Sequence, residues 1–382
     1  MHSTTRPILA TGIAAFAMLV ASGMPVRADQ GLLETIHKHV PRTSTVTENG
    51  DLNPYAVVVA PVSAGKVRKD DVLVDNFNNL SNLQGTGTTI VDYNPSTHKT
   101  SLFARLPQNL SQCPGGVGLT TAMTMLKSGW VIVGSTPSTD GTTKTKGQGC
   151  LIVLDNNGQL ATVWAGPNIN GPWGNMAVID RGSTATLFIS MAGFDIPAPD
   201  VKDANGFSVT VNKATVLRLE LSIGASGPPQ IASQTVIASG LAARADKDVF
   251  LIGPTGLALA PDGSTLYVSD AVGNQIVAIP NATSRRDSAG TGTLVTKDGL
   301  LKRPLALAIT PEGHLLACNA KNGQLVEIDP AGGRQLYAQW IDANPAQSPP
   351  GNGDLFGIAM TPDGKGFYYV EDDVNALVEG VR

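Results

Sequence analysis

Short apolar runs separated by turn residues set the pattern of the chain, and one stretch shows it in full. Residues 253–280 read GPTGLALAPDGSTLYVSDAVGNQIVAIP. Three apolar runs, 256–260, 266–268 and 275–279, are separated by Pro261-Asp262-Gly263 and by a polar loop over 269–274. Proline presets φ and glycine supplies φ > 0, so runs of this length between such punctuation predict strands joined by tight turns. The pattern recurs twice downstream. Residues 304–313 end in Pro311-Glu312-Gly313 and lead to 314–319 and 324–329, and residues 355–364 end in Pro362-Asp363-Gly364 and lead to 367–372 and 376–379.

The opening prolines Pro254 and Pro304 lie 50 residues apart. A strand-built repeat of that length predicts a β-propeller with one blade per repeat. Three looser copies precede the clear ones. The expected fold is therefore all-β, a six-bladed β-propeller of four-stranded blades opening near 54, 114, 172, 254, 304 and 355. Five inner strands are expected to start at Pro54, Pro114, Pro172, Pro254 and Pro304, and the sixth at Leu355. The last blade has three strands before Arg382. The β-branched stretch Thr43-Ser44-Thr45-Val46-Thr47 is expected to supply its fourth, closing the ring and removing two open edges. Residues 31–40 read as a short helix or an arm. The succession of apolar strand, PDG-type turn, LYVSD and asparagine resembles the NHL repeat.

The N-terminus adds a targeting signal to this picture. Arg6 precedes an apolar stretch over 8–20, and Val26-Arg27-Ala28 supplies a small-residue cleavage site. Residues 1–28 are expected to be a secretory signal peptide cleaved after Ala28. Residues 29–382 then form a single propeller domain, periplasmic or secreted, without a membrane span. Loss of Arg6 and Arg27 takes the net charge from −4 to −6, a mild and scattered acidity that argues against nucleic-acid binding. The expected form is a monomer. An oxidising compartment permits a disulfide between Cys113 and Cys150, both of the second blade, and leaves Cys318 as a buried apolar residue.

In a four-stranded meander, the loops after the second strand and before the first share one end. That end collects Asp75, Asn76, Asn78, Asn79, Trp173, Asn175, Thr255, Asn274, Asn319 and Asp373 as candidate binding residues at the mouth of the channel. The long insertions 135–149, 192–214, 242–252 and 343–354 fall on the same end, where elaborated loops carry function. The opposite end carries short PDG turns. Asp and Asn oxygens are hard ligands suited to Ca²⁺, with Asp270, Asp75 and Asp372 as candidate metal ligands. The same residues also cap turns in propeller repeats. The mouth has no histidine, and the chain has no GxSxG, HExxH or Walker A pattern.

Residues 253–263 with Leu266-Tyr267-Val268-Ser269-Asp270 resemble the gluconolactonase/regucalcin family, six-bladed calcium-dependent lactone hydrolases. The resemblance implies Asp270 as a metal ligand. Thr255 stands where the family has an asparagine ligand, and Asn53-Pro54-Tyr55-Ala56 stands where its EGP motif would supply a glutamate. The sequence therefore favours an exported propeller that binds a small molecule or protein partner at its mouth without chemistry. The alternative is a Ca²⁺-dependent, lactonase-like hydrolase with an incomplete ligand set. A third reading is a structural protein whose mouth is plugged by residues 192–214.

Overall fold

The structure, a computed structural model, describes residues 1–2, 31–353 and 355–382. The targeting segment and its cleavage position lie outside the described residues. From residue 31 onward the strands form six antiparallel sheets that follow one another along the chain. Blade 1 uses Leu52–Val59, Val72–Asn78, Thr89–Asn94 and Lys99–Arg105. Blade 2 uses Leu119–Met125, Val131–Ser135, Cys150–Leu154 and Leu160–Trp164. Blades 4 and 5 run from Pro254 to Lys297 and from Pro304 to Trp340, again with four strands each. The core lies between blades, because both faces of each sheet are covered. In blade 1, Val72 and Val74 pack toward Val370 and Leu377 of blade 6, while Leu73 packs toward Val131 and Val133 of blade 2.

The ring closes with an N-terminal strand, at a different place from the one expected. Lys38–Ser44 pairs antiparallel with Ala376–Val381, from Lys38 opposite Val381 to Ser44 opposite Ala376. The β-branched stretch over 43–47 contributes only its first two residues. Strand pairing tolerates Pro41 because this is the outer edge of the blade and the register shifts between Pro41 and Thr43. Ahead of the strand, Leu33–Thr35 forms one turn of 3₁₀ helix.

Blades 2 and 3 depart from the sequence reading. The inner strand of blade 2 begins in register at Leu119, opposite Ser135, and not at Pro114. Residues 113–116 form a turn there, with Gly115 and Gly116 both at positive φ. Cys113 and Cys150 are joined in a disulfide that ties this turn to the third strand of the blade, and Cys318 is buried and free. Blade 3 has five strands, Ala177–Asp180, Thr184–Met191, Val211–Ser222, Gln230–Asp246 and Phe250–Ile252. The stretch 242–252, expected to be a loop, is the end of its fourth strand and a hairpin into the fifth. Among the described residues no helix is long and apolar enough to cross a membrane.

Candidate functional site

The inner strands decide what the channel can hold. In five of them the register shifts one turn into the strand, between Pro54 and Val57, Leu119 and Met123, Pro254 and Leu257, Pro304 and Leu307, and Leu355 and Ile358. A bulge bends the strand and re-aims a side chain. Here the re-aimed residues are Tyr55, Thr255, Leu305 and Phe356, which meet Thr121 and Trp173 around the axis. Tyr55 stacks on Phe77 at 4.3 Å and on Phe356 at 4.0 Å, and Trp173 stands edge-on to both Tyr55 and Phe77.

The hairpin of blade 3 seals what remains. Val249, Phe250, Leu251 and Ile252 are at most 1% exposed and belong to the same apolar cluster as Tyr55, Trp173 and Phe356. Phe250 packs against Trp173 at 5.9 Å and edge-on to Phe77 at 5.5 Å. Its backbone has φ +67°, and Leu251 N donates to Val249 O, a positive-φ γ-turn that strains a bulky residue. The outer end is pinned by ion pairs from Arg303 to Asp246 and from Lys321 to Asp248, and by Gln84, whose amide donates to Asp248 O. The remaining cavity of about 10 Å³ is no larger than one water. Residues 246–252, not 192–214, plug the mouth.

Beneath the plug, the sequence-predicted residues are occupied by the fold itself. Asp75 Oδ1 accepts Ala56 N at 2.8 Å, where Ser190 and Ser269 accept Gly174 N and Gly256 N in blades 3 and 4. Those two serines donate onward to Thr255 O and Leu305 O of the following blade. Gly174 is obligatory for this approach, since a Cβ there would run into Thr255 O. Asp75 is fully buried, and desolvation pushes its carboxyl up to about 8. A neutral acid has one acceptor oxygen and one O–H, the same pair of functions as the serine hydroxyl. Asn76 donates to Thr45 O and Thr89 Oγ1, Asn78 to Asn82 Oδ1, and Asn79 Oδ1 accepts Ser81 N in an Asx-type turn.

The remaining candidates also hydrogen-bond within the fold. Asn175 reaches across the channel: its amide donates to Leu257 O at 2.7 Å and Leu307 O at 3.2 Å, and its oxygen accepts Leu257 N and Leu307 N. Asn274 donates to Leu301 O and accepts Arg303 N, and Asn319 donates to Leu300 O and accepts Lys302 N. Thr255 donates to Gly253 O, and Asp373 accepts the side chains of Asn344 and Gln347.

The three candidate metal ligands do not fit a calcium ion. Asp270 Oδ1 accepts Val272 N and Gly273 N, and its Oδ2 accepts Gln275 Nε2 at 2.8 Å, so its own turn uses both oxygens. Asp75 is clamped by Ala56 N and its burial disfavours the ionised form, and desolvation followed by the Asp373 charge raises Asp372 to about 8. Among the described residues no group of three or more His, Cys, Asp or Glu side chains is placed to hold a metal. Tyr55 hydroxyl, Asp75 Oδ2, Asn76 Oδ1 and Asn78 Oδ1 are buried without a hydrogen-bond partner, which leaves unmet polar atoms in blade 1 but no charged cage.

An open recess lies at the other end. A recess of about 580 Å³ sits where the blade 1 loop at Pro61 meets the turns of blades 2, 3 and 4 at Lys127, Asp180–Arg181 and Pro261–Gly263, walled by Pro61, Met125, Val178, Ile179, Leu259 and Pro261. Lys127, Asp180, Arg181 and Asp262 line it as well. No local motif marks it, because each connection is ordinary alone and the recess exists only where four converge.

Comparison with known proteins agrees with the architecture. Residues 230–341 match the family model described as the SMP-30/Gluconolactonase/LRE-like region, which covers the outer part of blade 3 and blades 4 and 5. No curated protein matches the chain in sequence. A gluconolactonase from Xanthomonas campestris superposes with a TM-score of 0.53 at 11% identity, covering 92% of each chain. A calcium-binding regucalcin from Agrobacterium tumefaciens superposes with a TM-score of 0.53 at 12% identity, covering 90% of this chain and 93% of its own. A luciferin-regenerating enzyme gives 0.53 at 11% identity, covering 90% and 95%. At such identity the solved structures speak for the fold alone. The chain is thus a six-bladed propeller similar to the SMP-30, gluconolactonase and regucalcin proteins, with the mouth of its channel filled.

Proposed function

We propose that this is an exported, non-catalytic binding propeller whose ligand enters the recess at the turn-bearing end. The observation that carries the reading is the contrast between the two ends. The loop-bearing mouth is closed by aromatic side chains and the 246–252 hairpin, and the opposite end opens into about 580 Å³. Small-molecule sites commonly have ~300–1,000 Å³ and combine apolar walls with a few polar groups. Export is supported by the leader-like residues 6–28 and by the Cys113–Cys150 disulfide, a bond that persists in oxidising compartments. N-terminal sequencing of the protein recovered outside the cytoplasm should begin at Asp29.

The binding reading is tested by methyl NMR on protein labelled at methionine, with Met125→Leu assigning the recess resonance. A library of small amphipathic fragments should move the Met125 methyl and leave Met191, buried in another cluster, in place. A library with no member that moves Met125 at millimolar concentration would refute the reading. The lactonase-like alternative makes a separate demand: Ca²⁺ must raise the unfolding midpoint relative to EDTA. We expect no rise, because Asp270, Asp75 and Asp372 are not gathered. A rise abolished by Asp270→Ala would restore the metal-enzyme reading.

A further inference from the structure

We infer that the recess selects amphipathic carboxylates, an apolar body carrying one anionic head; the inference rests on the recess being the binding site. Four charged side chains line it, and the structure treats the two signs differently. Asp180 Oδ2 accepts Lys127 N at 2.6 Å and its Oδ1 accepts Gly182 N at 2.8 Å. Asp262 Oδ1 accepts Ser264 N at 2.9 Å, and both of its oxygens accept Ser264 Oγ. Asp180 is therefore engaged by donors of its own turn and of the blade 2 turn, and Asp262 by donors of its own turn.

The cations are not matched in this way. Lys127 Nζ donates to the neutral carbonyl of Asp180 at 3.1 Å, and Arg181 Nη1 donates to Thr186 Oγ1 at 3.2 Å. Among the described residues neither takes part in any ion pair. An ammonium has three donors and a guanidinium five, so one hydrogen bond each leaves most of their donor capacity unused among the described residues. A carboxylate matches a guanidinium fork, and the wall of Met125, Ile179, Leu259 and Pro261 accepts an apolar tail. Without Arg6 and Arg27 the net charge goes from −4 to −6, so non-specific attraction favours cations. A preference for anions must come from these two residues.

The test compares octanoate, octylammonium and octan-1-ol by titration against the Met125 methyl. Octanoate is expected to bind at least ~10-fold more tightly than octylammonium, a difference of about 1.4 kcal/mol. The Lys127→Gln/Arg181→Gln variant should lose that preference, and raising salt from about 0.05 to about 0.5 M should weaken octanoate and spare octanol. Both substitutions are at exposed positions, so folding is preserved, and the unfolding midpoint verifies this. Equal binding of all three probes at Met125, or a preference that survives in the double variant, overturns the charge selection and leaves the recess as a site. Absence of any shift at Met125 with all three probes overturns both.

Discussion

Asp75 shows how a residue can look functional in sequence and prove architectural in space. Its stretch, DNFNNLSN, carries more Asp and Asn than one turn requires, at the end of the blade where binding residues are expected. The structure spends those groups on the bulged inner strand, the Thr45 carbonyl of the closing blade and the loop after residue 78. Sequence could not show this, because the serine positions that Asp75 replaces become visible only when blades 1, 3 and 4 are superposed in register. A consequence for pH follows. Burial raises the Asp75 carboxyl from an ordinary 3.8 to about 8. Between those values the folded state holds a proton that the unfolded chain has released, so stability falls as pH rises across that window. The loss is full above about pH 8 and absent below about pH 4, and the steepest slope is ~1.4 kcal/mol per pH unit for one proton. Asp372, Glu371 and Asp92, raised by desolvation to about 8, 7 and 7, act in the same direction. Asp75→Asn keeps the acceptor for Ala56 N and supplies a permanent donor. It should flatten part of the decline in unfolding midpoint between pH 5 and pH 8 without lowering the midpoint at pH 8. A variant as steep as wild type would show that Asp75 is ionised in the folded protein.

At the scale of elements, strands with a clean alternation and a PDG turn were legible, and elements built from mixed signals were not. The plug is the main example. Residues 242–248 contain Arg244, Asp246, Lys247 and Asp248 and read as a polar loop, while Val249-Phe250-Leu251-Ile252 merges with the opening of the next repeat. Only tertiary packing turns the first part into a strand and drives the second into the channel. The burial is large enough to make the plug permanent: each of the four side chains contributes ~1.5–3 kcal/mol, against ~1–3 kcal/mol of backbone strain at Phe250. Phe250→Ala should therefore cost about 3–5 kcal/mol in denaturant unfolding. Because φ is +67° there, Phe250→Gly should cost no more than Phe250→Ala, the reverse of the usual order within a strand. A glycine variant clearly less stable than the alanine variant would argue against strain. The disulfide acts at the same scale. It closes a separation of 37 residues, and replacing both Cys113 and Cys150 by serine should cost about 3–4 kcal/mol by the chain-entropy relation, read from the same unfolding curves.

For the molecule as a whole, the repeat told the ring and the blade count, but the clasp that closes the ring depends on a pairing 295 residues apart. Leu32 N and Leu33 N donate to the two oxygens of Glu327 at 3.0 and 2.8 Å, and His314 Nδ1 lies 2.8 Å from the same carboxyl. Glu327 has no exposed surface, and Leu33 and Ile36 beside it have none either. A Cβ at Gly31 would displace the Glu327 carboxyl. Nothing in the local sequence of blade 5 marks Glu327 as the socket for the N-terminal segment, so the reading that placed the closing strand at 43–47 had no anchor to correct it. The clasp has two parts, the Glu327 socket and the Lys38–Ser44 strand with its Arg42–Glu379 ion pair at 2.7 Å. Removing the socket acceptor leaves two buried N–H groups unsatisfied, each worth ~1–3 kcal/mol. Glu327→Leu should therefore open the ring locally before it unfolds globally. The measurement is limited proteolysis with trypsin, which can cut at Lys38 and Arg42 once the strand leaves blade 6. Wild type should resist at these bonds under conditions where Glu327→Leu is cut there first, and Glu379→Gln, which weakens only a partly exposed ion pair and keeps both cleavage sites, should fall near wild type. Equal resistance of Glu327→Leu and wild type would mean that the strand ladder alone holds the ring, and that the buried carboxylate is expendable to closure.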